Sequence, residues 1–154
     1  MSNLLYFVER EYPVDISRLW NAWVKADELE SWYSPVFLEV IKGSATSDAK
    51  VGGSWAIAVD VSANGFNAYF WGTYKEVEIN NKISHTLNYS QDELEFNLRE
   101  EQPDAHLIEV VFEDRGDRSW VKFSQFGEMD QEQAEASREG MESYLENLAI
   151  YFSR

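Results

Sequence analysis

The chain has 154 residues, of which 44% are apolar and 27% charged, with a formal net charge of −15 and no cysteine. This length fits one domain over residues 1–154 that buries a core without disulfides. The lack of cysteine excludes thiolate catalysis and cysteine-based metal sites, and the negative charge argues against nucleic acid or anionic membrane partners. We expect a cytoplasmic location, because there is no bilayer-length apolar run and the first residues resemble a strand rather than a signal peptide.

Aromatic residues make up 15% of the chain, with six Trp, eight Tyr and nine Phe. Large, rigid side chains of this kind fill cores, and they also line pockets and interfaces. We expect most of them to pack in the core, which leaves several to line a pocket.

The first part of the chain predicts a strand followed by two short helices. Residues 4–10 alternate as in a strand. Asp15 can cap the first helix by accepting backbone N–H bonds. Asp27 and Glu30 match a capping box that would begin the second helix, and Pro35 would end it, since the residue before proline avoids helical conformation.

The middle of the chain predicts a run of antiparallel strands. Gly52 and Gly53 indicate a bend, because residues without a Cβ let the backbone turn sharply. Asn64 and Gly65 predict a tight hairpin, since both residues tolerate positive φ. The predicted strands cover residues 37–41, 55–61, 66–77, 83–89, 106–113 and 118–126.

Residues 90–104 form a polar, acidic segment that contains Pro103. We predict that this segment is mainly a loop. The alternation of Leu94, Phe96 and Leu98 leaves a short additional strand open as an alternative.

The end of the chain predicts one long amphipathic helix. Asp130 can cap it with Gln133 as the reciprocal partner, and apolar residues recur at helical spacing from Ala134 to Phe152. Gly140 falls in the middle, where glycine costs about 1 kcal/mol relative to alanine. It indicates a close approach or a bend at that point, unless the position is simply under no structural demand.

The order of these elements predicts an α+β fold. A long sheet must bury one face, and the terminal helix is the element available to cover it. A strongly curved sheet cannot follow a straight helix everywhere, so a cavity can form between them, with the two short helices closing one end. The alternative is that the large aromatic side chains fill this space themselves.

Three short motifs follow one another in the chain. Residues 32–35 read W-Y-S-P, residues 48–55 read D-A-K-V-G-G-S-W and residues 72–77 read G-T-Y-K-E-V. They resemble the START-like (SRPBCC, helix-grip) superfamily, in the branch of activators of the heat-shock protein ATPase, with its W-W-x-P, D-x-R-x-G-G-x-W and G-x-Y-x-E-V. Lys50 stands at the usual arginine and Gln125 where histidine is common.

This resemblance covers nearly the whole chain and implies the helix-grip fold. In that fold a curved antiparallel sheet of about six or seven strands wraps around a long C-terminal helix. The superfamily includes lipid and hormone binders, polyketide cyclases, oxygenase subunits and co-chaperones, so the fold does not decide the function.

The chemistry-bearing residues predict no catalytic set, no metal site and no cofactor. His85 and His106 are the two histidines, and no nucleophile elbow or metal-binding spacing accompanies them. We interpret His85 as a buried core residue, because it shares a strand face with apolar neighbours, and we expect His106 to be exposed. Asp60 is the one acid in an otherwise apolar strand, where we expect a rim or edge position.

The leading hypothesis is that a cavity between sheet and helix binds a small apolar ligand of aromatic or amphipathic character, such as a lipid. Burial would supply most of the affinity, and Tyr69, His85, Gln125 and Tyr144 would be the polar groups that orient the ligand. The predicted lining residues are Trp32, Tyr33, Trp55, Ile57, Tyr69, Trp71, His85, Leu87, Phe112, Phe123, Gln125, Met141, Tyr144, Leu145 and Leu148.

Two alternatives remain open at this point. The acidic surface and the resemblance favour an interaction protein, either a co-chaperone-like regulator or a homodimer. A polyketide cyclase-like enzyme is the other alternative, with His85 and Tyr69 moving protons.

Overall fold

The computed structural model of the chain describes residues 3–154. The elements in chain order are β1 (Asn3–Tyr12), α1 (Ile16–Val24), α2 (Ala26–Trp32), β2 (Glu39–Val40), β3 (Thr46–Ser47), β4 (Ser54–Val61), a 3₁₀ turn (Ser62–Asn64), β5 (Phe66–Glu78), β6 (Lys82–Ser90), α3 (Glu93–Leu98), β7 (His106–Arg115), β8 (Arg118–Gly127) and α4 (Gln131–Phe152).

The strands form one curled antiparallel sheet in the order β1-β8-β7-β6-β5-β4-β2, with β3 also paired to β4. The predicted α+β fold, with short helices after the first strand and a long C-terminal helix, is confirmed. Eight strands are present rather than the expected six or seven, because β2 and β3 each add a two-residue strand beside β4. None of the helices described in residues 3–154 is long and apolar enough to span a membrane.

The long helix is anchored to the rest of the fold through its C-terminal half. The Tyr12 hydroxyl of β1 donates to the Leu145 carbonyl over 2.8 Å, and the Asn147 amide donates to the Trp32 carbonyl over 2.8 Å. Leu145 and Leu148 are 1% and 0% exposed, so this half of α4 is packed tightly into the core. At its start, the Asp130 carboxylate accepts from the Gln133 N–H over 2.7 Å, which confirms the cap at Asp130, whereas the reciprocal bond from the Gln133 side chain is absent among residues 3–154.

The glycine bend before β4 is confirmed. Gly52 adopts φ +86°, and its N–H donates to the Tyr74 carbonyl over 2.9 Å. A Cβ on Gly53 would collide with the backbone carbonyl of Asp48. Both glycines are therefore required by backbone geometry, which accounts for the G-G pair in the second motif.

The predicted capping box of the second helix is wrong. Helix α2 begins at Ala26, one residue after α1 ends, and Lys25 is its N-cap without a side-chain bond. Lys25 is the single residue between the helices, where it is both the C-cap of α1 and the N-cap of α2. Asp27 therefore lies inside α2 and cannot cap it. Glu30 instead receives the Gly43 N–H over 2.9 Å and so holds the loop before β3.

One predicted turn and one predicted strand in the middle of the chain differ from the structure. The hairpin at Asn64 is a longer connection through the 3₁₀ turn, and only Gly65 takes the left-handed conformation, with φ +93°. The strand expected at residues 37–41 shrinks to Glu39–Val40, and Phe37 is 81% exposed. Only this short segment pairs with the edge of β4.

Residues 90–104 contain a short helix, α3, so the predicted loop and the alternative strand are both wrong at residues 93–98. The Asp92 carboxylate caps this helix by accepting from the Leu94 N–H over 2.9 Å. Phe96 is buried, whereas Leu94 and Leu98 are exposed. Phe96 alone docks this short helix by packing on Tyr69 and Trp71, so the alternation of Leu94, Phe96 and Leu98 does not indicate a strand.

Gly140 is not a site of close approach, contrary to one of the alternatives from the sequence. A Cβ at this position would meet no heavy atom within 4 Å. The helix therefore has open space beside Gly140.

Gly72→Ala is expected to lower the free energy of unfolding by about 2–3 kcal/mol, because its Cβ would collide with the Thr86 carbonyl on the neighbouring strand. Gly140→Ala is the matched control and should raise the free energy of unfolding by about 0.5–1 kcal/mol, since alanine is the better helix former. Urea denaturation of both variants measures the two changes. Equal effects in the two variants would contradict the close packing of β5 on β6.

Candidate functional site

A cavity of about 770 Å³ lies between the sheet and the first half of α4. Pockets for small ligands are usually of about 300–1,000 Å³, so this one has room for a small molecule. Its lining residues are Tyr6, Tyr33, Trp55, Phe70, Leu87, Tyr89, Gln102, Pro103, Asp104, His106, Phe123, Gln125, Met129, Gln133, Ser137, Gly140, Met141 and Tyr144.

Helix α4 contributes one face to the cavity. Gln133, Ser137, Gly140, Met141 and Tyr144 recur at helical spacing and therefore lie on the same side of the helix. Ser137 and Gly140 are small, so this part of α4 does not fill the space that Leu145 and Leu148 fill further along. The cavity follows from this change in side-chain size along one helix.

The sheet supplies an apolar wall. Trp55 on β4, Phe70 on β5, Leu87 on β6 and Phe123 on β8 line the cavity from four different strands. Trp55 and Phe123 are each 2% exposed, so they are held firmly by the core behind them.

Tyr33 joins the short helices to this wall. It follows the last residue of α2 as the C-cap, and its ring makes edge-to-face contacts with Trp55 at 5.8 Å and Tyr144 at 5.0 Å between centroids. Such contacts add to the stabilisation from burial. The ring of Tyr33 is thereby held between the sheet and α4.

A chain of hydrogen bonds runs along one side of the cavity. The Tyr6 hydroxyl donates to Gln125 Oε1 over 2.6 Å, and Gln125 Nε2 donates to His106 Nδ1 over 2.8 Å. His106 Nε2 then lies 3.2 Å from the Glu128 carbonyl, to which it donates. This arrangement suits a neutral histidine with its proton on Nε2.

Two further hydroxyls line the cavity without a partner. Within residues 3–154, the hydroxyl oxygens of Tyr33 and Tyr144 make no hydrogen bond. Burial, reinforced by the neighbouring Tyr144, Tyr6 and Tyr74, raises the pKa of Tyr33 well above its usual value. Burial also raises the pKa of Tyr144. Both phenols therefore keep their protons at neutral pH.

Seven of the residues predicted from the sequence lie in the cavity lining: Tyr33, Trp55, Leu87, Phe123, Gln125, Met141 and Tyr144. Gln125 is there, but its amide already serves Tyr6 and His106. Tyr144 is the one predicted polar group that lines the cavity with its hydroxyl free of protein partners among residues 3–154.

Tyr69 and Trp71 were predicted to line the cavity, but the structure places them on the outer face of the sheet. They pack with Phe96 of α3 in a separate cluster, away from the cavity. Phe70, the residue between them, points to the cavity because it pairs with Ile57 on the inner face. Alternation in a strand defines two faces but does not state which of them is inside.

Six other predicted residues belong to the packed core and not to the lining: Trp32, Ile57, His85, Phe112, Leu145 and Leu148. The interpretation of His85 as a buried core residue is confirmed at 2% exposure. Its ring stacks on Trp55 with 4.1 Å between centroids, and its Nδ1 donates to the Thr86 carbonyl over 2.8 Å. Burial lowers the pKa of His85 to about 4.

Several lining residues were missed by sequence reasoning, above all Tyr6, Phe70 and His106. His106 was expected to be exposed, but it is half-buried and lines the cavity beside Gln125. Tyr6 could have been found, since it shares a strand face with the buried Val8. His106 carries no such signal, because its position depends on pairing between β7 and β8.

The acidic residues do not assemble into a metal site. Among the described residues 3–154, no group of three or more His, Asp or Glu side chains is placed to hold a metal ion. Asp60 is exposed, and its carboxylate accepts from the Ser62 N–H over 2.8 Å at the end of β4. This position agrees with the expected rim or edge.

A family model described as Activator of Hsp90 ATPase homolog 1-like protein matches residues 13–153. Comparison with curated protein sequences gives no significant match.

Solved structures with the same fold include a Chromobacterium violaceum protein, 19% identical with a TM-score of 0.78, over 97% of this chain and 96% of that one. A Silicibacter pomeroyi protein described as AHSA1 is 19% identical with a TM-score of 0.79, over 96% of each chain. An Arthrobacter aurescens protein is 20% identical with a TM-score of 0.78, over 96% of this chain and 84% of that one. At these identities the similarity concerns the fold alone.

Tyr33→Phe and Tyr144→Phe are expected to cause no loss in the free energy of unfolding beyond about 0.5 kcal/mol, because neither hydroxyl has a partner to lose in residues 3–154. Tyr12→Phe is the control and should cost about 1 kcal/mol, since its hydroxyl bonds the Leu145 carbonyl in the core. Chemical denaturation measures all three. A loss at Tyr33 or Tyr144 as large as that at Tyr12 would reveal an internal partner.

The stability of the fold is expected to decrease as the pH falls from 6.5 to 4. The His85 imidazole takes up a proton near pH 6.5 when unfolded but only near pH 4 in the folded chain, so the unfolded state binds more protons in this window. The free energy of unfolding should fall by about 3 kcal/mol across it. Denaturation at several pH values tests this, with His85→Gln as the variant that lacks the titrating group and should lose this part of the slope. An NMR titration that places the His85 pKa near 6.5 would contradict the prediction.

Proposed function

The chain belongs to the family of Activator of Hsp90 ATPase homolog 1-like proteins, and we propose that its cavity binds a small ligand of aromatic or amphipathic character. The observation that carries this proposal is the cavity of about 770 Å³ with aromatic walls and two phenol hydroxyls without partners among residues 3–154. Burial of an apolar ligand against such walls contributes about 25 cal/mol for each Å² removed from water.

The rigidity of the wall supports binding of this kind. Tyr33, Trp55 and Phe123 are almost fully buried, and their rings are held by further aromatic contacts. A wall that is already ordered loses little side-chain entropy when a ligand arrives. The cavity is therefore organised before any ligand enters.

The polar groups favour binding over a catalytic role. His85 and Tyr69, the two candidates for a cyclase-like reaction, both lie outside the cavity. His106 lines it, but each of its ring nitrogens faces a protein partner. A general base needs a free nitrogen within reach of the substrate proton. The alternative of a protein-interaction regulator stays a prediction.

Native mass spectrometry of freshly purified protein is the direct test. We expect extra mass on the native protein that disappears on denaturation, because a cavity of this size and character retains an apolar cellular ligand. A protein that carries no extra mass, and whose melting temperature no compound in a panel of small aromatic molecules raises, would overturn the proposal.

Gly140→Leu should abolish ligand binding while keeping the fold. The new side chain would begin in open space at the cavity wall and occupy part of its volume. Leucine is also the better helix former, so the melting temperature of the ligand-free protein should not fall. Glu139→Leu, at the exposed neighbouring position, is the matched control and should bind as the parent does. Equal binding by both variants would place the ligand elsewhere.

A further inference from the structure

Two sets of polar groups in the cavity lining differ in their hydrogen bonding. Tyr6, Gln125 and His106 satisfy one another along one side, and the chain of bonds ends on a backbone carbonyl. Tyr33 and Tyr144 are left over, each with a hydroxyl that no other group in residues 3–154 bonds. These two hydroxyls are the phenol pair, and a ligand can engage them without breaking a bond inside the protein. Asp104 and Gln133 also line the cavity without a side-chain hydrogen bond in residues 3–154, but both are exposed.

The phenol pair is placed as a unit. The two rings meet edge to face with 5.0 Å between centroids, and Tyr33 is only 6% exposed. A hydroxyl donor in an apolar cavity costs free energy unless an acceptor reaches it. A neutral phenol is a stronger hydrogen-bond donor than acceptor, so the pair calls for an acceptor atom on the ligand.

The charges around the cavity exclude an anionic acceptor. Among residues 3–154 no lysine or arginine lines it, and the one carboxylate in the lining is that of Asp104. A carboxylate or phosphate on the ligand would lose its hydration, gain no counter-charge and face Asp104 within a chain of net charge −15. Burial of an unpaired charge is far more costly than burial of a neutral polar group.

We propose that the ligand is neutral and presents a carbonyl oxygen to Tyr33 and Tyr144, with its apolar body against the aromatic wall. This inference rests on the proposed function of the cavity and adds the chemical class of the ligand. The oxygen accepts from one or both hydroxyls, and the raised pKa values keep both protons in place through neutral pH.

Four probes with the same two phenyl rings separate the possibilities: benzophenone, diphenylmethane, diphenylacetate and aminodiphenylmethane. Their dissociation constants are measured by NMR chemical-shift titration of the intact chain. Benzophenone should bind about tenfold more tightly than diphenylmethane, which has the same body without an acceptor. Diphenylacetate should bind at least about tenfold more weakly than benzophenone, because its charge is buried without a partner.

Phenylalanine variants of the phenol pair test the role of the hydroxyls themselves. In Tyr33→Phe with Tyr144→Phe, the preference for benzophenone over diphenylmethane should disappear while diphenylmethane binds as before. Tyr74→Phe is the matched control, since its hydroxyl pairs with Ser47 at 2.7 Å and does not line the cavity. The ratio of two affinities is read within each variant, so a general change in fold does not imitate the effect.

Photo-cross-linking locates the carbonyl. Excited benzophenone inserts into C–H bonds beside its carbonyl and favours methionine, and two methionines line the cavity. Met141 lies one turn before Tyr144, whereas the Met129 sulfur lies 3.7 Å from the Ser137 hydroxyl, about 10 Å or two turns before Tyr144 along the helix. The adduct should form on Met141, and an adduct mainly on Met129 would overturn the placement.

The outcomes distinguish this inference from the proposed function. Equal affinity for benzophenone and diphenylmethane would overturn the inference and leave ligand binding in place. Tightest binding by aminodiphenylmethane would assign the polar recognition to Asp104 and also overturn it. Absence of binding by all four probes, together with the absence of a co-purified mass, would overturn the proposed function and this inference with it.

Discussion

The seating of α4 on the sheet is the constraint on which the rest of the structure depends. Its C-terminal half is held by the Tyr12 hydroxyl and by the Asn147 amide, and Leu145 and Leu148 fill the space beneath it. Its first half carries Ser137 and Gly140 on the same face, and those residues are too small to fill a comparable space. A rigid helix cannot bend down to close the gap, so the difference in side-chain size becomes a cavity.

The polar groups around that cavity follow from the same geometry. Strand pairing brings Tyr6, Gln125 and His106 together from β1, β8 and β7, where they bond one another. Tyr33 and Tyr144 come from the end of α2 and from α4, which meet only because α4 covers the sheet. Among residues 3–154, the first group is bonded internally and the second has no hydrogen-bond partner, and this asymmetry is the basis of the chemical preference that we propose for the cavity.

The fold was largely predictable because its signals are local. The G-G bend and the cap at Asp130 each depend on residues a few positions apart. A Cβ at Gly53 would collide with the Asp48 carbonyl, and this requirement for glycine is visible in the sequence as the G-G motif. The failures have local causes too. The cap predicted at Asp27 ignored how closely α1 precedes α2, and α3 is held by a single buried residue, Phe96, which no periodicity can show.

The sequence by itself determined the first strand, the two short helices, the run of antiparallel strands and the long terminal helix, together with the family to which the chain belongs, because periodicity, capping and glycine geometry act over short distances. Only the tertiary structure decided which strand face is inside, so that Phe70 lines the cavity while Tyr69 and Trp71 pack against α3. It also decided that Tyr33 and Tyr144 meet with free hydroxyls while Gln125 is already bonded. The physical reason is that alternation is symmetric between the two faces, and only long-range packing breaks that symmetry.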